Sequence, residues 1–600
     1  QLKEVLLLIL RTLFIFFLLF SLTRPYIKKN IGLPKDVASN IIILDDSYSM
    51  AYGTNFKQAV GVVKNLIEQS HKNSEIAIIL SSLHRQKEFT KNHETIKTLL
   101  DSLTVSYSDR TLSEAFDKSL DWMTNQATYN AKNIYIITDL QKHAIEAVLA
   151  KIKNLKRPAD FRITVIDVGT KNTNNALLSK VYLNPNFPSP NFPSRLYASV
   201  KNQSLQSENR KIFFKLWIAN QESLVDAQEK EITLNPIEEK IVMSDISIEE
   251  PAVYRASAML TNDALSYDDQ YYFSVHIAKN NKILLLTDNA GDVKYVEKAL
   301  KASLFETEIN DIRSLAKLNL KNYSAIGLFG SLKLNDADLR RIANYLLAGG
   351  GVFVASSEIV SPANWQKILN LEIDLSGKQS VIGAGGFVSI QEIDYQHPIM
   401  EIFKDANLST AKFYAYWDLN TVPHQNVIAY FSFNKPFLIH NQNPKVIFAL
   451  SNLDVKHTDF VFKATFVPLL HRIFSYLSLP NIKTNYLVDE PIIWQVASAL
   501  PVRIKTPYNE YLQTPIQDNT KYLIKINNTE KPGFYHIGES VITVNVNYEE
   551  SDLTRISVSE IKKSGVEIID EFQSPIRELT NLLLWLAIIF FIFEMLVLII

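Results

Sequence analysis

The segment Asn40-Ile41-Ile42-Ile43-Leu44-Asp45-Asp46-Ser47-Tyr48-Ser49-Met50 constrains the fold more than any other stretch. Four apolar residues, three of them β-branched, run directly into Asp-x-Ser-x-Ser. Such a run reads as a buried strand of a parallel sheet. In open α/β sheets, ligands sit beyond the carboxyl ends of the strands. Alternate residues of an extended backbone point the same way. Asp45, Ser47 and Ser49 can therefore converge, offering one carboxylate and two hydroxyls. Oxygen-only donors suit a hard divalent cation such as Mg²⁺. These oxygens alone leave the shell incomplete, so a partner's carboxylate is expected to fill the gap.

The surrounding pattern supports a doubly wound sheet. Asn55 to Gln69 has apolar residues at helical spacing, and Glu75 to Leu80 is a second buried strand. Leu112 to Met123 is amphipathic and follows Asp109-Arg110-Thr111. Asn133 to Asp139 and Phe161 to Val168 supply further strands. Alternating strands and helices give an α/β layer architecture. The Asp-x-Ser-x-Ser segment in this setting resembles the metal-ion-dependent adhesion site (MIDAS) of von Willebrand factor A (VWA) domains. That resemblance implies a Thr before a later helix and an Asp after a later strand as additional ligands. Thr111 and Asp139 match those places, giving a metal set of Asp45, Ser47, Ser49, Thr111 and Asp139 for Mg²⁺, Mn²⁺ or Ca²⁺. The competing reading is that these residues only cap helices and turns.

Beyond this VWA-like region (37–170) the expected organisation is multidomain α/β and β. Short strands separated by turn residues predict a β-sandwich over 177–277. The acidic turn Asp263 to Asp269 ends it, and reads as a solvated turn rather than a calcium site. A second α/β domain is expected over 280–478, with buried strands at Lys282 to Thr287, Ala325 to Phe329 and Val352 to Ala355. Its order resembles class I glutamine-amidotransferase-like domains. Those enzymes place a Cys on a sharp turn, and the chain has no Cys, so the fold is expected without that activity. Gly349-Gly350-Gly351 lacks the Lys-Ser/Thr of a P-loop and reads as a helix C-cap and turn. A small β domain is expected over 484–548 and a linker over 549–578.

Formal net charge is −1, from 62 Lys+Arg and 63 Asp+Glu. That balance argues against a nucleic-acid-binding face. The absence of Cys excludes disulfides and thiolate metal sites. Both ends are apolar: Val5 to Leu22 is interrupted mainly by Arg11, and Leu582 to Ile600 by Glu594. Transmembrane helices are expected at 1–25 and 579–600. Glu594 reads as a helix-contact residue, or as a polar contact to a partner helix. The start at Gln1, not Met, suggests a piece missing upstream. Arg24, Lys28, Lys29, Lys562, Lys563 and Arg577 lie on the body side of both ends, which taken alone favours a cytoplasmic body.

Taken together, the chain resembles BatA-type aerotolerance regulators with a double-transmembrane N-terminus. The resemblance rests on Leu6 to Leu13 through Thr23-Arg24-Pro25, on Leu44 to Met50, and on Thr138-Asp139-Leu140-Gln141. It implies a bacterial inner-membrane protein with an extracytoplasmic body, because the family's basic loop precedes the equivalent of residue 1. It implies a non-enzymatic, metal-dependent binding scaffold in envelope stress tolerance or complex assembly. The implied partners are other membrane or envelope proteins, related VWA proteins and a MoxR-type AAA ATPase. A hydrolase using the amidotransferase-like domain and a structural stalk with a vestigial metal site are the alternatives.

Overall fold

The computed structural model describes residues 2–599 except 24–25, 29–35, 109–110, 156–160, 172, 185–187, 189–193, 220, 262, 278–281, 304, 384, 480–482, 497, 519–520, 570–575 and 579. Asp109-Arg110, Arg24-Pro25, Lys29 and most of the turn-rich stretch after Asn184 lie outside the described residues.

The strand Ser39–Leu44 is buried along its whole length, because it is central in a six-stranded sheet. The order is Glu567–Ile569, Phe161–Asp167, Lys132–Thr138, Ser39–Leu44, Glu75–Leu80, Gln86–Thr90. The first five run parallel and the last is antiparallel. Apolar side chains alternate between two cores, one on each face. Helices Asn55–Gln69 and His93–Asp101 contribute Val62, Val63, Leu66 and Ile96 to one core. Helices Leu112–Asn125 and Lys142–Asn154 contribute Phe116, Trp122, Ile145 and Val148 to the other.

One edge strand of this sheet comes from the far end of the chain. The region 549–578, expected as a linker, contains the helix Val558–Lys563 and the strand Glu567–Ile569. That strand pairs in parallel with Phe161–Asp167. Ser557 caps the helix through a capping box with Glu560. Ile556, Ile561 and Val566 enter the core on the sheet face that also packs Phe116 and Ile145. Sequence reading missed this because the strand is three residues long and its partner lies about 400 positions earlier.

The β-sandwich has a four-stranded sheet (Leu224–Leu234, Glu208–Ile218, Val253–Leu260, Gln270–His276) against a three-stranded one (Glu239–Ile246, Ser194–Asn202, Ala176–Asn184). Inward residues such as Leu196, Val200, Phe214, Leu216 and Ala256 fill it. The acidic turn is not solvated: Asp268 and Asp269 are buried.

The next domain carries an eight-stranded mixed sheet. Glu306–Asp311, Lys282–Thr287, Ala325–Phe329, Gly351–Ala355 and Val446–Ala449 are parallel, and three antiparallel strands extend it. Gly349 adopts φ +94° just past the helix Asp336–Leu347, a left-handed turn that glycine makes without strain. A small β domain follows, with five- and three-stranded sheets built on Tyr535, Ile504 and Ile524.

At 1–25 and 579–600 the structure has two helices, Leu2–Leu22 and Thr580–Ile599, packed antiparallel. Phe14 meets Phe591 and Phe17 stacks on Phe590, with ring centroids 5.4 and 5.5 Å apart. Arg11 Nε donates to Glu594 Oε1 at 2.5 Å, so the contact of Glu594 is within the chain. Just inside the helices, Tyr26–Lys28 pairs with Ile576–Glu578. Among the described residues, no helix is long and apolar enough to cross a membrane.

Candidate metal centre

The site lies at the carboxyl ends of Ser39–Leu44 and Lys132–Thr138. Asp45 is 2% exposed and fully engaged. Its Oδ1 accepts from the Ser47 hydroxyl at 2.8 Å and the Ser47 N–H at 3.1 Å, and lies 3.1 Å from the Ser81 hydroxyl. Its Oδ2 accepts from Thr138 Oγ1 at 2.7 Å. The Ser47 and Ser49 hydroxyls are 3.0 Å apart. The short helical turn Tyr48–Ala51 that follows keeps both serines inward and buried.

Asp139 enters from the next strand and is also buried. Burial pushes its carboxyl upward, and the charges of Asp45 and Glu550 push the same way, against hydrogen bonds from Ser49 and from the Gln141 backbone. Leu140 sits at φ +62°, an uncommon conformation for a bulky side chain. Such residues cost on the order of 1–3 kcal/mol and persist where surrounding contacts hold them. Here Ile556 N–H donates to Leu140 O at 3.0 Å and Arg555 Nε donates to Asp139 O at 2.8 Å. Gly169 packs against the same turn: a Cβ there would lie 2.5 Å from Asp139 O.

The structure thus brings Asp45, Ser47, Ser49 and Asp139 together. Thr111 is exposed and caps the helix Leu112–Asn125, accepting from the Glu114 N–H at 3.4 Å. Among the described residues it shares no hydrogen bond with the cluster. Thr138, Ser81, His143 and Glu550 are the site residues that sequence reading missed. Thr138 and Ser81 each follow or end a buried strand, a position that could have drawn notice. Glu550 carries no local signal.

Asp46, next to the motif, plays a structural part. Its carboxylate accepts from the Ser81 hydroxyl, the Ser82 N–H and the Ser82 hydroxyl at 2.7–2.8 Å. Burial raises it, while these bonds oppose the rise.

The donor set fits a hard divalent cation. Asp45 and Asp139 are buried carboxylates beside the Ser47 and Ser49 hydroxyls, and the charge of Glu550 bears on both. Among the described residues Glu550 Oε2 is buried with no hydrogen-bond partner. A divalent cation offsets this excess of negative charge, and oxygen ligands are those it prefers.

A second acidic group lies in the sandwich. Asp263, Asp268 and Asp269 present oxygens within 4.8 Å of one another. Arg210 pairs with Asp263 at 3.1 Å and offsets part of the charge. Burial pushes Asp268 up to about 7. Burial, then the Asp263 and Asp268 charges, push Asp269 to about 8.

In the eight-stranded domain, the serines after the buried strands point to other groups. Ser331 donates to Asp288, and Ser356 to the carbonyls of Gly330 (2.8 Å) and Glu358. His457 faces Asp454 at 2.8 Å.

The von Willebrand factor type A domain model matches residues 40–143, so the chain carries a VWA domain. Partial likenesses extend to three solved structures. One is the conserved hypothetical protein BatB from Bacteroides thetaiotaomicron, at 21% identity over 22% of this chain and 66% of that one, TM-score 0.18. Another is a ThuA-like protein from Bacteroides uniformis, at 15% identity over 33% of this chain and 91% of that one, TM-score 0.25. A third is the CARDB domain of a Pyrococcus furiosus protein in complex with di-metal ions, at 17% identity over 18% and 89%, TM-score 0.15.

Proposed function

We propose that this chain is a membrane-anchored scaffold whose VWA domain binds acidic protein partners through a Mg²⁺ ion. The observation that carries the reading is the convergence of Asp45, Ser47, Ser49 and Asp139 at adjacent strand ends. Ser47 and Ser49 would ligate the cation directly, with Asp45 and Asp139 acting directly or through water. The ion supplies a positive centre that a carboxylate can complete. The remaining domains carry that centre and add contact surface. Among the described residues neither Ser331 nor Ser356 is hydrogen-bonded to a histidine, which favours this over hydrolysis by a Ser–His pair.

Anchoring is supported by the outward faces of the terminal helices. Leu8, Phe16, Leu19, Trp585, Ile592 and Phe593 are each more than half exposed, and continuous apolar surface of this kind marks an interaction with lipid or protein. The Arg11–Glu594 pair lets two charges sit within that apolar pair. We place the chain in a bacterial inner membrane with its body extracytoplasmic, working with envelope proteins, related VWA proteins and a MoxR-type AAA ATPase in stress tolerance or complex assembly. Protease added to intact spheroplasts tests the orientation: digestion of the VWA domain is expected, and protection until lysis reverses it. Co-purification of partners from membranes with and without chelator tests the function. Partner recovery that is indifferent to chelator contradicts it.

A further inference from the structure

We infer that Glu550 is an internal ligand of the VWA site, so that the chain's own C-terminal segment occupies the position a partner's acidic side chain must take. This rests on the metal-dependent reading above.

The segment 547–556 crosses the mouth of the site and is tied down at each step. Tyr48, inside the Asp-x-Ser-x-Ser motif, donates its hydroxyl to Asn547 O at 2.7 Å and lies 2.8 Å from the Ser551 hydroxyl. Gln141 Nε2 donates to Glu550 O at 2.8 Å. Lys142 N–H donates to Thr554 O at 2.8 Å, and Arg555 and Ile556 bind the carbonyls of Asp139 and Leu140. Both metal-site loops, Asp45–Ser49 and Asp139–Gln141, are thereby fixed to one distant segment.

Within this clamp the Glu550 side chain turns inward, 13% exposed. His143 Nε2 lies 3.1 Å from Oε1 and orients the carboxylate. Burial raises the Glu550 carboxyl, while hydrogen bonding from His143 and from Ser47 opposes the rise. The single hydroxyl proton of Ser47, however, goes to Asp45 Oδ1 at 2.8 Å. Among the described residues Oε2 is left buried without a donor. A buried acceptor in that condition costs about 1–3 kcal/mol unless something completes it. A carboxylate with one oxygen anchored by His and the other without a described donor is arranged as a ligand. Glu550 also bears electrostatically on both Asp45 and Asp139, which a shared cation would offset.

Two consequences follow. The cation locks 547–556 onto the VWA domain, coupling the metal to the helix Val558–Lys563 and the strand Glu567–Ile569 that follow. A partner's acidic side chain gains the site only by displacing Glu550.

The test uses the full chain in detergent. Mg²⁺ is titrated calorimetrically into wild type and Glu550→Gln, and hydrogen–deuterium exchange of 546–556 is followed with and without MgCl₂. Wild type should bind Mg²⁺ and show slower exchange in 546–556 when it is present. E550Q should lose about 10–100-fold in Mg²⁺ affinity and lose the Mg²⁺-dependent protection. Wild type that binds no Mg²⁺ overturns the metal reading and this inference with it. Wild type that binds Mg²⁺ while E550Q binds equally well, or while exchange in 546–556 ignores Mg²⁺, overturns the internal ligand alone. Should E550Q not fold, the wild-type exchange comparison decides.

Discussion

Replacing Arg555 with Ala should loosen the clamp and destabilise the VWA domain together. Arg555 donates Nε to Asp139 O at 2.8 Å and Nη2 to Asp167 Oδ1. Its side chain is 18% exposed and that of Asp167 6%, so the pair is largely out of water. Losing Arg555 leaves Asp167 with the Gly169 N–H, at 2.9 Å, as its remaining described donor. Breaking a buried pair by removing one partner costs roughly 3–5 kcal/mol, because a charge is left without compensation. At roughly 2–4 °C per kcal/mol for a domain of 150–250 residues, the VWA transition should fall by about 6–20 °C. Exchange of 546–569 should rise before the sheet centre does, since that segment loses its tie first. Adding Asp167→Asn to R555A should recover part of the loss by removing the orphaned charge. Arg555→Lys should not rescue fully, since a lysine cannot reach both acceptors with a planar fork. Differential scanning calorimetry with exchange mass spectrometry reads all four proteins. A melting point unchanged within about 1 °C, with unchanged exchange in 546–569, refutes the clamp.

Gly169→Ala should displace the Asp139 turn, because its Cβ would meet Asp139 O at 2.5 Å and Cα at 2.9 Å. A loss of about 1–3 kcal/mol in the same melt is expected. Asp268 and Asp269, raised by burial to about 7 and 8, hold protons in the folded state that the unfolded chain releases near the ordinary carboxylate value. The stability they contribute is full below about pH 4 and is lost as pH rises through about 7–8, at roughly 1.4 kcal/mol per unit for each group within the window. Melting temperature at fixed salt should therefore fall between pH 5 and 8, and Asp269→Asn should flatten that slope; an unchanged slope contradicts it. With no native Cys, Phe14→Cys with Phe591→Cys reports the terminal helix pair by oxidative crosslinking. Arg11→Leu should reduce the crosslink by stranding Glu594, and adding Glu594→Gln should restore it.

The parts of the fold governed by local pattern were legible. Helices Asn55–Gln69 and Asp336–Leu347 match their apolar spacing, and Ser39–Leu44 is the buried central strand its β-branched run indicates. Asp45, Ser47 and Ser49 converge because an extended backbone and one helical turn fix their directions. What was not legible depends on long-range return of the chain. Tyr48 finds partners 499 and 503 positions away, and Glu550 reaches His143 across 407. No periodicity encodes such a contact. Thr111 is ambiguous in sequence for a different reason: Thr is both a ligand and a favoured N-cap, and in the structure it caps a helix. Asp263 to Asp269 has turn composition, yet tertiary packing buries two of its acids.

Mg²⁺ binding by the full chain, measured calorimetrically in wild type and in an Asp45→Ala/Asp139→Ala variant, bears most directly on the cation site. The arrangement of Asp45, Ser47, Ser49 and Asp139 predicts saturable binding in wild type that the double variant abolishes, with the fold retained by circular dichroism. Equal binding by the two proteins, or none by wild type, contradicts a VWA metal centre.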